Sequence, residues 1–596
     1  MIAHVTPLRR LPSGLDFFDY YLTPEQERAV QIGQLVIIPF KQQQLSGVIT
    51  GLSPTADPLP TKTINTFLDF SLTEHQVSLA RYLASFYRLS LATTLALFVP
   101  TVAKRSIAIT ERVASTALPF KLSSLKEVSD NGWLMYQGWP ALLSYLRVVL
   151  QKKQDGQTLI VCPEFYQQQV LIQLLSSLKL DKKSVWLPGR SQKNNYAAAW
   201  RASQTADYIV GGFQSLWLPF SHLQQAIIIE ADNLQFQRAE QTPRIHLSDI
   251  LKEWQQQYDC QLLVTTVSPT VQLYHALKPL ALPEITLRAT PPPERTIVDM
   301  RAERQIKNFD FLSEAAKTII AESTTPVLLY LNQHGSETLL TCQHCHWLAP
   351  CPQCDKALTF DKQTQKLQCL SCGHQREPIP RCLNCGSERL KLSASGQKKL
   401  HKELVRLFPT KKIVIYKSGA SLTDIDKNAL VIATSAILSS LNHFQQTIMV
   451  SADNELQRPD FQAADQLRRT IFKLQQLSHS VLIQTFNPEH YVFTTLDSFG
   501  SFYQQELKFR HDFNYPPSAS SYKIIFRNAK KTKTKDTPTK EVVLEFLQTE
   551  KITPKQYLIY DKHIIVRGPI DTSLIDKLHK KFNNKLIIEI NPYQWL

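Results

Sequence analysis

Eight of the ten cysteines lie between Cys342 and Cys385, as four CxxC pairs: Cys342/Cys345, Cys351/Cys354, Cys369/Cys372 and Cys382/Cys385. A CxxC sets two thiolates on one tight turn, and two such turns close a tetrahedron around a soft divalent cation. Eight ligands make two sites, so two zinc ions are expected. A disulfide framework would instead suit a short secreted chain. Four thiolates leave no coordination position open to water or substrate, so each ion holds a fold and performs no reaction. The pairs can be matched in three ways. The inner two are separated by 14 residues, close to the usual spacing of two-pair zinc sites, which leaves Cys342/Cys345 with Cys382/Cys385 for the second ion. His344 and His346 lie among the thiolates, and complete four-cysteine sets make them surplus.

A larger body must carry this window. At 596 residues the chain has room for about four domains. Lys and Arg outnumber Asp and Glu by 67 to 51, and the resulting net charge of +16 points to a polyanionic partner, most simply nucleic acid. No run approaches the ~18 apolar residues of a membrane span, and the first residues lack the apolar stretch of a signal peptide. A cytoplasmic setting with no membrane partner is expected. Cys162 and Cys260 sit in apolar runs and read as small core hydrophobes.

Residues 1 to 100 read as short strands and then an amphipathic helix, TEHQVSLARYLASFYRLS. From about residue 130 apolar runs alternate with helical stretches: TLIVC (158–162), YIVGG (208–212), AIIIE (226–230) and QLLVTT (261–266). That texture predicts a parallel sheet in an α/β domain. A second series follows the linker ATPPPERT: PVLLYL (326–331), KIVIY (412–416), ALVIAT (429–434), TIMVSAD (447–453) and SVLIQT (480–485). The cysteine window falls between PVLLYL and KIVIY, so it is expected as an insertion in the second lobe. After residue 518 a lysine-rich loop, NAKKTKTKDTPTKE, reads as a solvated linker before a small α+β domain.

Longer strings add to this outline. IVGGFQSLWLPFSHLQQAIIIEADN, TPRIH, LLVTTVSPTVQL, PPPERTIVDMRAE, LNQHG, SADNELQRPDFQAADQLRRTIF, IQTFNPEHY, FYQQELKFRHDFNYPP and the terminal IIEINP follow one another in order. In them the chain resembles the PriA replication-restart helicase family (primosomal protein N′) from end to end. The resemblance implies an α/β fold with two tandem RecA-like helicase lobes. It implies a β-rich 3′ DNA-binding domain over 1–100, a linker or winged-helix remnant over 101–130, and a first lobe over 131–290. The second lobe would start over 291–340 and resume over 393–517, around an inserted domain at 341–392 that holds two zinc ions, each on four cysteines. A small C-terminal α+β domain would fill 518–596. The nested zinc pairing is also what the resemblance implies.

The chain departs from this family where ATP would act. A P-loop needs glycine-rich backbone around the phosphates, a Lys on the β/γ-phosphates and a Ser or Thr on Mg²⁺. At the corresponding place the sequence reads LMYQGWPALLSYLRVVLQKK, with Gly138 followed by Trp139 and Pro140. A tryptophan blocks close phosphate approach and a proline removes an N–H donor. The family's DEEH appears as Glu230, Ala231, Asp232 and Asn233, so Ala231 replaces the acid expected to align the attacking water. GxGTE has become SASGQKK, the GTQMIAKGHDF region ATSAILSSLNHF, and the arginine-bearing QVxGRAGR element KLQQLSHS. Such arginines are worth about 10³ to 10⁵ in rate. No catalytic residue is therefore assigned, Glu230 and Asp232 read as polar ends of a buried strand, and ATP with Mg²⁺ is a doubtful ligand.

The resemblance also implies a pocket for a 3′ DNA end, carried by Phe18, Asp19 and Tyr20, by Pro39 and Phe40, and by Lys62. An aromatic can stack on the terminal base, Asp19 can accept hydrogen bonds from a base edge or sugar hydroxyl, and Lys62 can pair with a phosphate. Lys41 stands where the family usually has Gly. The function expected is that of a PriA-like replication restart protein, cytoplasmic and nucleoid-associated. It would bind forks, 3′ ends and single strands and support primosome assembly with primosome or single-strand-binding proteins, without helicase or ATPase activity. The alternatives are an active ATP-dependent 3′ to 5′ DNA helicase with a divergent phosphate loop, and a zinc-ribbon interaction protein that does not touch DNA.

Overall fold

Each apolar run of the first series becomes a strand buried on both faces, which is why it reads as continuous rather than alternating. In the computed structural model seven parallel strands stand in the order Glu284–Leu287, Gly132–Tyr136, Gln261–Thr266, Leu223–Ile228, Gln157–Val161, Tyr208–Gly211 and Ser184–Trp186. Register is set in the core, where Ile227 lies between Ile160 and Leu263. The second series builds a six-stranded parallel sheet in the order Glu294–Asp299, Ser478–Thr485, Phe444–Met449, Val327–Tyr330, Leu430–Ala433 and Ile413–Ile415. The expected α/β fold with two tandem lobes is therefore what forms. Four of these strands went unread in the sequence. Gly132–Tyr136, Ser184–Trp186 and Glu284–Leu287 are short or interrupted by tryptophan and polar residues, and Glu294–Asp299 follows the prolines of the linker.

The structure describes all residues except 10–15, 41, 55–61, 100–124, 126–127, 153–154, 182–183, 188–192, 237–243, 288–292, 333–338, 343–346, 348, 350–351, 353–357, 361–364, 369–373, 394–395, 417–421, 423–424, 441, 457, 459, 527–537, 561–562, 583–584 and 593–596. Most of the expected linker or winged-helix remnant, most of the lysine-rich loop and Lys41 lie outside the described residues. Between Val327–Tyr330 and the helix Gly396–Leu407, five short antiparallel strands form a separate sheet running from Leu339 to Ser393. The chain after residue 520 makes a four-stranded antiparallel sheet with helices Lys540–Thr549 and Ser573–Phe582.

The amino-terminal sheet is antiparallel, in the order Phe18–Tyr21, Ile2–Pro7, Gln43–Ser53, Gln34–Phe40 and Thr66–Ser71. Its helix Glu74–Phe86 starts with a capping box between Thr73 and Gln76, which satisfies two N–H groups that the first helical turn leaves open. The Gln76 side chain then reaches out of this domain, its Nε2 donating to the Trp217 carbonyl of the first lobe at 2.7 Å. Tyr87 fastens the same joint. Its hydroxyl donates to Asp249 Oδ2 at 2.8 Å and accepts from the His246 amide at 3.1 Å. Burial holds the Asp249 carboxyl above its usual range, so this contact is made in a dry seam. Tyr87→Phe keeps the ring and removes both bonds, and it is expected to cost about 1–3 kcal/mol. A thermal melt reads this as a lowered midpoint; an unchanged midpoint would mean that the domains dock without the hydroxyl.

Candidate functional sites

The first lobe has no room for a phosphate loop where one was sought. Strand Gly132–Tyr136 and helix Trp139–Gln151 are joined by Gln137 and Gly138 alone. Gly138 turns the chain at φ 91°, a conformation that only glycine adopts cheaply. Trp139 is buried in the lobe core beneath the helix start, and Pro140 has no N–H to offer a ligand. The connection is a tight turn that plugs into the core, not a nest of amides.

At the end of strand Leu223–Ile228 the chain turns through Glu230, at φ 48°, and sets two carboxylates in the cleft between the lobes. Glu230 is 2% exposed and Asp232 1%. Glu230 Oε1 accepts from Gln167 Nε2 at 3.0 Å, and Asp232 Oδ1 accepts from Thr266 Oγ1 at 2.7 Å. The counter-charge comes from the second lobe. Lys473 Nζ, on helix Ala463–Gln476, lies 3.5 Å from Glu230 Oε2 and 3.9 Å from Asp232 Oδ2. Burial pulls the Lys473 ammonium pKa down, but the two carboxylates push it up by more, so it stays above the ordinary lysine value and the side chain stays charged. Cys162 lies beneath this cluster, and burial keeps its thiol protonated, as the reading of a core hydrophobe requires.

The expectation that Glu230 and Asp232 merely end a buried strand was incomplete. They are paired across the cleft by a lysine that begins the KLQQLSHS string, a segment read only as a loss of arginines. The overlooked signal was electrostatic, since two acids at the end of a buried strand require a cation. Two arginines of the same helix are engaged by protein groups. Arg469 Nη1 donates to the Asp232 carbonyl at 3.1 Å, while Arg468 lies over the Phe502 ring at 4.6 Å and donates to the Thr495 carbonyl. With a two-residue turn for a phosphate loop and an ammonium against the carboxylates, the described residues do not fit ATP with Mg²⁺.

The residues expected to hold a DNA end divide between two faces of the amino-terminal sheet, because successive strand residues point to opposite sides. Phe18 meets Phe40 edge to face, with centroids 5.1 Å apart and both rings partly exposed. Asp19 faces the other way and takes a 2.6 Å hydrogen bond with His4 Nδ1, directly across the strand pair. The Phe17 ring packs on His4 at 4.6 Å. Tyr20 is 3% exposed, so its ring has no face to offer a base; its hydroxyl donates to the Pro39 carbonyl at 3.2 Å and braces the strand that carries Phe40. Burial holds its phenol above the ordinary value. Lys62 is exposed at the sheet edge, where its carbonyl accepts from the Tyr21 amide at 2.9 Å. His4 was missed in the sequence because only register places it beside Asp19.

In the cysteine window Cys342, Cys382 and Cys385 bring their Sγ atoms within 4.8 Å of one another, with Cys342 and Cys385 at 3.6 Å. A tetrahedral four-thiolate zinc site with Zn–S near ~2.3 Å has sulfur–sulfur edges of about 3.8 Å. The donors therefore fit such an ion. The Cys382–Cys385 turn closes with a bond from the Gly386 amide to the Cys382 carbonyl at 2.9 Å, and Gly386 takes φ 70°. All three thiols are free of disulfides. Cys345, Cys351, Cys354, Cys369 and Cys372, with His344 and His346, lie outside the described residues.

Known proteins resemble this chain over its amino-terminal domain and along its length. A family model described as the 3′ DNA-binding domain of PriA matches residues 11–100. The Replication restart protein PriA of Bacillus subtilis is 28% identical over 342 residues, which is 52% of this chain and 42% of that protein. The chain thus matches less than half the length of that relative. The PriA protein of Rickettsia felis is 24% identical over 630 residues, covering 97% of this chain and 93% of that one. Among solved structures, the DUF1998 helicase MrfA bound to DNA overlaps with a TM-score of 0.33 at 10% identity, over 84% of this chain and 61% of that one, too slight a likeness to argue from. Collinear strings, a matched amino-terminal domain and relatives aligned over nearly the whole length agree, and the chain is similar to PriA replication restart proteins from end to end.

Proposed function

We propose that this protein binds DNA forks and 3′ ends in replication restart, supports primosome assembly, and does so without ATP-driven unwinding. The observation that carries this reading is the Lys473 ammonium against Glu230 and Asp232, in the cleft where a motor would hold its nucleotide. Beside it, the turn at Gly138 supplies no phosphate cradle. The net charge of +16 favours a polyanion. Phe18 with Phe40 offers an aromatic corner for a terminal base, the Asp19 carboxylate acceptors for a sugar hydroxyl or base edge, and Lys62 a phosphate contact. His4 keeps the Asp19 side chain oriented while one ring nitrogen is engaged. Primosome or single-strand-binding proteins are the expected partners on DNA, at the nucleoid. No helix among the described residues is long and apolar enough to cross a membrane.

Two structural zinc ions complete the proposal. Cys345 would join Cys342, Cys382 and Cys385 around one ion, and Cys351, Cys354, Cys369 and Cys372 would hold the other. Thiolate sites of this class contribute about 10 to 16 kcal/mol to folding of the domain that holds them. The second reading, an active 3′ to 5′ helicase, is favoured by the two-lobe architecture and by Arg469 reaching the first lobe. It requires an unusual phosphate site.

Purified protein is expected to bind forked DNA equally with and without ATP, and to release phosphate at the background rate when DNA is added. DNA-stimulated hydrolysis would favour the helicase reading. Its fork affinity should fall with salt, log K against log[salt] having a slope of about −0.9 per neutralised duplex phosphate; a flat slope would favour the reading without DNA. Phe18→Ala should weaken binding to a free 3′ end by about 1–3 kcal/mol and leave binding to a blocked end nearly unchanged, as measured by fluorescence anisotropy. Elemental analysis should find two zinc ions per chain, falling towards one in Cys385→Ser, with proteolysis then appearing inside 341–392.

A further inference from the structure

The helix Ala463–Gln476 meets the first lobe along a single stripe. Asp465, Arg469, Lys473 and Gln476 recur at helical spacing on one face, and each reaches a group of that lobe. Asp465 Oδ2 accepts from the Val271 amide at 3.1 Å, Arg469 donates to the Asp232 carbonyl at 3.1 Å, and Gln476 Nε2 donates to the Tyr136 carbonyl at 3.2 Å. Lys473 faces both carboxylates, and its side chain is 12% exposed. Asp232 and Tyr136 lie at the carboxyl ends of their strands and Val271 opens the helix after the strand between them, the edge that a ligand between two such sheets would occupy.

A carboxylate pair in a dry seam demands positive charge, and a mobile divalent ion could provide it only while bound. Here the cation is covalently part of the opposite lobe and cannot leave. We infer that Lys473 is a tethered counter-cation that clamps the second lobe onto Glu230 and Asp232, holding the lobes shut without any nucleotide. The two sheets then act as one rigid platform, and DNA contacts made on either lobe keep a fixed separation. Asp232 Oδ2 has no hydrogen-bond partner and lies near this ammonium, as expected of a group held by charge rather than by a directed bond. Arg510 extends the seam, its Nε on Glu506 at 3.0 Å and its Nη2 on Asp465 at 3.4 Å, so the clamp is continuous with a second buried ion network.

The inference rests on the reading of lobes that do not cycle on ATP. The full-length chain is the material for the test. Small-angle scattering gives the radius of gyration, and hydrogen exchange gives the protection of residues 463–476, for wild type, Lys473→Met and Lys473→Arg. Lys473→Met is expected to expand the particle and accelerate exchange along that helix, while Lys473→Arg, which keeps the charge, stays near wild type. Wild-type scattering is expected to be unchanged by Mg²⁺ with ATP, a measurement that holds even if Lys473→Met does not fold. A Lys473→Met protein as compact and protected as wild type overturns the clamp, as does a Lys473→Arg protein that opens equally, or wild type that changes shape with nucleotide. DNA-stimulated phosphate release by wild type would instead end the underlying reading, so the two failures are told apart.

Discussion

Two carboxylates buried at a seam between two folded bodies cannot stand without a cation, and the organisation of the lobes follows from how this chain meets that requirement. Glu230 and Asp232 are fixed by Gln167 and Thr266 in the first lobe, so the positive charge has to come to them. It arrives on a helix of the second lobe whose Arg469 and Gln476 also donate to carbonyls of the first lobe. Breaking a buried pair by removing one partner costs several times what an exposed pair contributes. The relative placement of the lobes is thus an electrostatic matter as much as one of packing.

The same pattern runs through the rest of the seam. Asp465 and Glu506 are buried together and each is paired with Arg510, while Tyr503 spans from the second lobe to the Pro269 carbonyl of the first at 2.6 Å. Tyr274 stacks on Tyr503 at 4.2 Å, which fills the space between the polar contacts with aromatic surface. A cleft built this way offers side chains to one another. A P-loop cleft offers backbone amides and glycine to a triphosphate, whereas the turn before the first-lobe helix carries Trp139 and Pro140.

Two further parts hang on this frame and differ in what holds them. The amino-terminal domain docks through an apolar core continuous with the first lobe and through the polar seam of Gln76, Tyr87 and Asp249. Among the described residues the cysteine insertion has a small apolar core around Ala349, Leu358, Leu367 and Ile379, and the thiols of Cys342, Cys382 and Cys385 gather together. So small a core needs metal or another cross-link to hold it.

The parallel sheets were legible in the sequence because strands buried on both faces must be apolar throughout; TLIVC, AIIIE and SVLIQT could be little else. A thiol cluster was legible because the CxxC spacing is itself the chemistry, and Cys342, Cys382 and Cys385 do come together; the short turn at Gly138 was legible because Trp139 and Pro140 cannot form a glycine nest. Tertiary structure alone decided which groups far apart in the chain became neighbours. Lys473 lies in a string that looked like a loss, and only helix docking brings its ammonium to Glu230 and Asp232. The pairing of His4 with Asp19, and the burial of Tyr20 away from any ligand, depend likewise on strand register and on which face of a sheet is covered. Spacing along a chain fixes local geometry, whereas charge compensation is settled by whatever the fold carries into range.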